Sequence, residues 1–208
     1  ALLNIKLFLL IYFASLAGVI PPGLVNMSVA KTCIRKTKKD GVVMSIGVAV
    51  IVFFQAMAAI LMAKYIFDNP FIHRILLRTG LVILLLMMIY FFIMANRNKE
   101  RMKIEKKTSG KSFLRGIGIA VLNVFPIPFF VVISSIFNAK GSVDYSWLSV
   151  VIFSFGAALG TLTTLYLYVI SFMKIEKHTK TFSAYSNYFM GFLMMVLVSI
   201  ALLRIYVF

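Results

Sequence analysis

Six apolar runs, at roughly 5–30, 41–67, 71–95, 113–138, 146–173 and 182–208, occupy nearly all of this 208-residue chain. Each is long enough to cross a bilayer as a helix, which takes about 20 apolar residues. None alternates polar and apolar residues as a transmembrane barrel strand does. Hydrophobic residues make up 62% of the chain and charged ones 13%, whereas a soluble domain holds about half and about a quarter. No soluble core hides that much apolar surface. Lipid has to be the solvent. The fold expected is an all-α integral membrane protein of about six transmembrane helices in a single domain spanning residues 1–208. The first run lacks a basic leader and continues past a proline pair, so it reads as a retained helix and not a cleaved signal.

The basic residues follow the same pattern. The first connection carries Lys31, Arg35, Lys36, Lys38 and Lys39, the third carries eight cations from Arg97 to Arg115, and the fifth carries Lys174, Lys177 and Lys180. Those three connections hold sixteen of the 22 basic residues. The positive-inside rule places them in the cytoplasm and both termini outside. The net charge of +16 is therefore read as orienting the protein. A nucleic-acid partner would need a soluble basic face, and none is expected. Membrane lipids and a small-molecule substrate are the expected partners, with a homo-oligomer or a larger membrane complex left open. The long polar connection at 96–112 reads as a solvated linker, with anionic lipid headgroups as the alternative occupant. It separates a first three-helix half, 1–95, from a second, 113–208.

The halves look related. Ser45-Ile46-Gly47-Val48-Ala49-Val50 in the second run matches Ser154-Phe155-Gly156-Ala157-Ala158-Leu159 in the fifth. A proline-disrupted segment opens each half, IPPGLVN at 20–26 and NVFPIP at 123–128. Three helices is an odd number, so a repeated half must enter the membrane upside down. Two inverted three-helix repeats with broken helices are a secondary-transporter arrangement.

The breaks are the candidate binding centre. Pro21, Pro22 and Gly23 interrupt the first run, and prolines within a helix free carbonyls one turn earlier. In hydrocarbon such carbonyls need a partner, so a break should face protein or water. Asn26 lies about one turn beyond. In the second half Asn123, Pro126 and Pro128 repeat the combination of break and amide. A structural kink is the alternative for both. Gln55 in the second run and Thr161, Thr163 and Thr164 in the fifth add polar groups near membrane depth, although a threonine can bond back to its own helix. Gly156 and Gly160 fit close helix packing.

All six acids, Asp40, Asp68, Glu100, Glu105, Asp144 and Glu176, fall in connections or at run ends. That leaves no intramembrane carboxylate pair and no magnesium-binding cluster. His73 and His178 fall near opposite membrane faces, and Cys33 is the only cysteine. No catalytic residue, metal site or cofactor is expected, and the chain is not read as an enzyme.

Several strings resemble the LysE/RhtB superfamily of bacterial amino-acid exporters. They are Pro22-Gly23 within IPPGLVN, the basic CIRKTKKDG at 33–41, Phe113-Leu114-Arg115-Gly116, and Leu122-Asn123. The resemblance covers nearly the whole chain. It departs where the family's second proline would stand, at Leu24, where Val124-Phe125 separates Asn123 from Pro126, and in the second helix at Ile51 and Val52. It implies roles for Pro22, Gly23 and Asn123 in a divergent exporter. The function expected is export of a small metabolite, a neutral amino acid because the core lacks carboxylates, by alternating access. A non-transporting scaffold subunit and a flippase for an anionic lipid are the alternatives.

Overall fold

The structure, a computed structural model, describes residues 2–20, 23–69, 71, 82, 85–86, 88–90, 92–93, 111–139, 144–175, 188, 191–192, 195–196, 198–199 and 202. Among these residues the regular structure is helical throughout. The first apolar run forms two helices, α1 (Leu2–Val19) and α2 (Leu24–Arg35), and the second forms α3 (Lys38–Asp68). The fourth run is also split, into α4 (Ser112–Leu122) and α5 (Pro126–Ala139), and the fifth forms α6 (Trp147–Ile175). α1 is long and apolar enough to cross a membrane, as are most of α3 and α6, and the α4–α5 pair, bent by 67°, makes a fourth candidate span. The third and sixth runs contribute only scattered helical residues to the described set. With 31 residues, α3 is about 46 Å long. That exceeds a hydrocarbon core of about 30 Å, so α3 tilts or protrudes.

Local chemistry sets the helix starts. Thr37 caps the start of α3: the Asp40 N–H donates to Thr37 Oγ1 at 3.1 Å, and that hydroxyl donates to Asp40 Oδ2 at 2.8 Å. The other oxygen of Asp40 accepts from Ser112 Oγ at 2.8 Å. One carboxylate thus lies at the positive ends of α3 and α4 together. At α6, Ser146 Oγ accepts from the Ser149 N–H at 3.3 Å, and Asp144 accepts from the N–H and hydroxyl of Ser146 and from the hydroxyl of Ser149. Tyr145, between them, has φ 54°.

The chain forms two compact units, and each draws on both sequence halves. One comprises Ala1–Ile20, Leu24–Tyr65 and Ile104–Glu176; the other comprises Pro21–Gly23, Ile66–Lys103 and Lys177–Phe208. In the second unit the rings of Phe92 and Tyr188 lie 6.4 Å apart, and a Cβ on Gly191 would come within 3.0 Å of the Phe92 ring. The third and sixth runs meet there.

In the first unit α1 lies along α6, and α2 packs against both α6 and α4. Glycines let two helix pairs, α3–α4 and α1–α6, touch backbone to backbone. A Cβ on Gly47 of α3 would sit 2.4 Å from Phe113 O of α4, and one on Gly116 of α4 would sit 2.2 Å from Met44 O. The counterpart is on α6, where a Cβ on Gly160 would sit 2.4 Å from Tyr12 O of α1 and one on Gly156 would sit 3.1 Å from Phe8 O. The long helix of each sequence half is therefore laid against the opening helix of the other half. Gly47 and Gly156 are the two matched glycines of the sequence repeat. Leu7, Ile11, Val29, Met44, Val48, Phe130, Phe153 and Leu165 fill the space between the helices.

Candidate functional site

At the first break α1 ends at Val19 and α2 begins at Leu24. Pro21 and Pro22, on which the expected break rests, lie outside the described residues. Gly23 is described, and a Cβ there would meet nothing within 4 Å. The last carbonyls of a helix have no intrahelical donor, and here three side chains supply one. Leu16 O accepts from Thr164 Oγ1 at 3.0 Å, Val19 O from Asn26 Nδ2, and Ile20 O from the Tyr168 hydroxyl. Asn26 also hydrogen-bonds Tyr168. Asn26 is 4% exposed, so its amide ties down the end of α1 and does not stand in an open space.

At the second break α4 ends at Leu122 and α5 begins at Pro126. Asn123 leaves the helix with φ −87° and ψ 88°, its N–H shared between Ile119 O and Ala120 O. Gln55 reaches across from α3: its Nε2 donates to Ala120 O and to Asn123 O, each at 3.0 Å. That fixes the orientation of the amide and points its acceptor the other way. Gln55 Oε1 is buried and has no hydrogen bond among the described residues. The Asn123 side chain is half-buried.

Pro126 and Pro128 do not interrupt a helix; they occupy the first and third positions of α5. Proline is well suited to a helix start, because its missing N–H is one that the helix would leave unpaired. The N–H groups of Ile127 and Phe129, in the same turn, donate to Val124 O and Phe125 O at 3.2 and 3.4 Å. The start of α5 therefore offers no free backbone donor to an anion.

The end of α1 and the start of α5 come together through one ring. A Cβ on Gly18, near the end of α1, would sit 2.5 Å from Phe129 Cζ, in the first turn of α5. The two breaks also share a pattern of capping. Two turns beyond Gly47 on α3 stands Gln55; two turns beyond Gly156 on α6 stands Thr164. Each caps carbonyls at the break of the opposite half. Thr164 and Tyr168 were not singled out as a pair by sequence, yet extending the glycine match by two turns aligns Thr164 with Gln55.

Thr161 lies elsewhere, in the seam between α1 and α6. It is 2% exposed and lies 3.0 Å from Ser15 Oγ, which also reaches Ala157 O at 2.7 Å. Tyr12 donates to Thr163 Oγ1 in the same seam at 3.0 Å. Among the described residues no group of three or more His, Cys, Asp or Glu could hold a metal ion.

A family model described as LysE type translocator matches residues 16–204. No curated protein and no solved structure matches the chain.

Proposed function

The chain belongs to the LysE type translocator family, and we propose that it exports a small neutral amino acid across a bacterial inner membrane by alternating access. The family supports the coarser reading, a multi-pass membrane transporter of amino acids or similar metabolites. Charge asymmetry supports the orientation: the connections holding Lys31 to Lys39, Arg97 to Arg115 and Lys174 to Lys180 are cytoplasmic and both termini are outside.

The observation that carries the substrate assignment is Gln55. A buried acceptor left without a donor costs about 1–3 kcal/mol. A substrate ammonium donating to Gln55 Oε1, on the side away from the break carbonyls, recovers that cost. A cationic side chain would have nothing to pair with, since Asp40, Asp68 and Asp144, the described acids, are at helix ends or outside helices. Unpaired charge at membrane depth costs about 2.5 kcal/mol or more.

Thermal unfolding of the purified protein tests the assignment. Leucine and threonine should stabilise it at concentrations where lysine and arginine do not. Stabilisation confined to the two basic amino acids would refute it.

A further inference from the structure

Within the first unit, hydrogen bonds and glycine contacts tie the opening helix of each sequence half to the long helix of the other. α1 is held by α6 as far as Ile20: Tyr12 donates to Thr163 Oγ1, Ser15 to Ala157 O and Tyr168 to Ile20 O, with Gly156 and Gly160 against the α1 backbone. α4 is held by α3 as far as Asn123: Ser112 donates to Asp40 Oδ1 and Gln55 to Ala120 O and Asn123 O, with Gly47 against Phe113 O. Such contacts resist sliding. Backbone does not step aside cheaply, and a displaced helix leaves buried carbonyls without a donor.

α3 and α6 also meet, through contacts of a different kind. Phe53 and Phe155 pack edge to face with ring centroids 5.4 Å apart, and Lys38 Nζ lies 5.9 Å from the centre of the Tyr166 ring. A Cβ on Gly41 would lie 3.4 Å from Val169 Cγ2, an ordinary van der Waals distance. Rings and methyl groups suit the small sliding movements of packed helices.

The two breaks stand where the chain leaves one pair for the other. Past Ile20 it passes to α2, which touches both pairs: Asn26 near its start hydrogen-bonds Tyr168 of α6, and Thr32 near its end lies 3.2 Å from Met44 Sδ of α3. Past Asn123 it passes to α5, where the Phe129 ring packs on Gly18 of α1 and Phe130 lies edge to face with Phe153 of α6, centroids 6.1 Å apart. We propose that the α1–α6 pair and the α3–α4 pair are bodies that move against each other during export, with the two breaks as the hinges between them. The moving bodies are then not the sequence halves, because each pair takes one helix from each half. This inference rests on the export reading, which requires two alternating states.

Disulfides within and between the pairs test it in the full chain, in a Cys33→Ala background that removes the native thiol. Ser15→Cys with Thr161→Cys links α1 to α6, where the two side-chain oxygens lie 3.0 Å apart. Gly41→Cys with Val169→Cys links α3 to α6. Cys33→Ala makes room there, since a Cβ on Gly41 would lie 2.0 Å from Cys33 Sγ but 3.4 Å from Cys33 Cβ. Both sites are close enough for a disulfide, whose Cβ atoms stand about 3.5–4.5 Å apart. Each protein is compared oxidised and reduced in proteoliposomes loaded with radiolabelled leucine or threonine, with disulfide formation measured by mass spectrometry. The α1–α6 link should leave the export rate within about twofold, whereas the α3–α6 link should lower it by about tenfold or more until it is reduced. Unchanged export with the α3–α6 link formed, or export stopped by the α1–α6 link, would overturn the proposal alone. A Cys33→Ala protein that exports neither amino acid would overturn the export reading, and this inference with it. Should the Gly41→Cys protein be inactive when reduced, Lys38→Cys with Tyr166→Cys, both at exposed positions, bridged by a short bismaleimide decides in its place.

Discussion

Gln55 Nε2 lies 3.0 Å from the backbone oxygen of Asn123, so a side chain of the first sequence half closes the helix break of the second. Thr164 returns the relationship by donating to Leu16 O at 3.0 Å. Replacing either leaves buried carbonyls without a donor. Thr164→Val, which keeps the shape of the side chain, should lower unfolding stability by about 1 kcal/mol, and Gln55→Leu by about 2 kcal/mol because two carbonyls lose their donor. Denaturant titration in mixed micelles measures both. No change in either would show that the caps are dispensable.

Two glycines on α4 separate packing from helix propensity. A Cβ on Gly116 would run into the backbone oxygen of Met44 at 2.2 Å, whereas one on Gly118 would meet nothing within 4 Å. Gly116→Ala should therefore cost about 1–3 kcal/mol, since backbone cannot move aside cheaply. Gly118→Ala should be neutral or stabilising by up to about 1 kcal/mol. Melting temperatures of the two variants should move in opposite directions or differ by several degrees. Equal shifts would contradict the α3–α4 contact.

The apolar runs, the basic ends and the positions of both breaks were legible in the sequence because each depends on local composition. The side of a helix that a polar residue faces is set by its neighbours, and those come from the other half of the chain. Thr161 and Thr164 look alike in sequence. The structure places one against Ser15 in a packing seam and the other on a freed carbonyl. Pro126 and Pro128 mark the break in the fourth run, but they begin α5, because the residues before them, Asn123 to Phe125, leave the helical path first. Asn26 looked like a ligand-facing amide for the same reason: nothing in the sequence shows that Val19 O and Tyr168 occupy it.

Cys33 marks the first connection, past the end of the first apolar run. The residue is buried, and burial pushes its thiol up to about 11. Only the thiolate reacts quickly, so maleimide labelling of the native protein near pH 7.5 should be about a hundredfold slower than for a free cysteine. The rate should keep climbing with pH until about 11 and should jump on unfolding. Orientation is better read from Lys39→Cys in a Cys33→Ala background, as Lys39 is exposed. An impermeant maleimide should label that thiol only in lysed spheroplasts; labelling of intact ones would reverse the topology.

The turn before α6 is sensitive to acid. Hydrogen bonds from the Ser149 hydroxyl and then from the Ser146 N–H and hydroxyl hold the Asp144 carboxyl below its usual 3.8. A carboxyl lowered in the folded state adds stability that is complete above its unfolded value and disappears as pH falls through its folded value. The melting-temperature gap between the wild type and Asp144→Asn should stay constant above about pH 5 and close below about pH 4. A gap that widened in acid would contradict these bonds. Ser146→Ala, which removes the α6 cap, should cost about 1 kcal/mol near neutral pH.

Export itself tests the account most directly. Proteoliposomes loaded with radiolabelled leucine, threonine, lysine or arginine should release the two neutral amino acids faster than the two basic ones by about tenfold or more. Gln55→Leu, reconstituted in folded form, should abolish that release. Preferential release of lysine or arginine, or a Gln55→Leu protein that exports like the wild type, would contradict the assignment of Gln55 as the ammonium acceptor of a neutral amino acid.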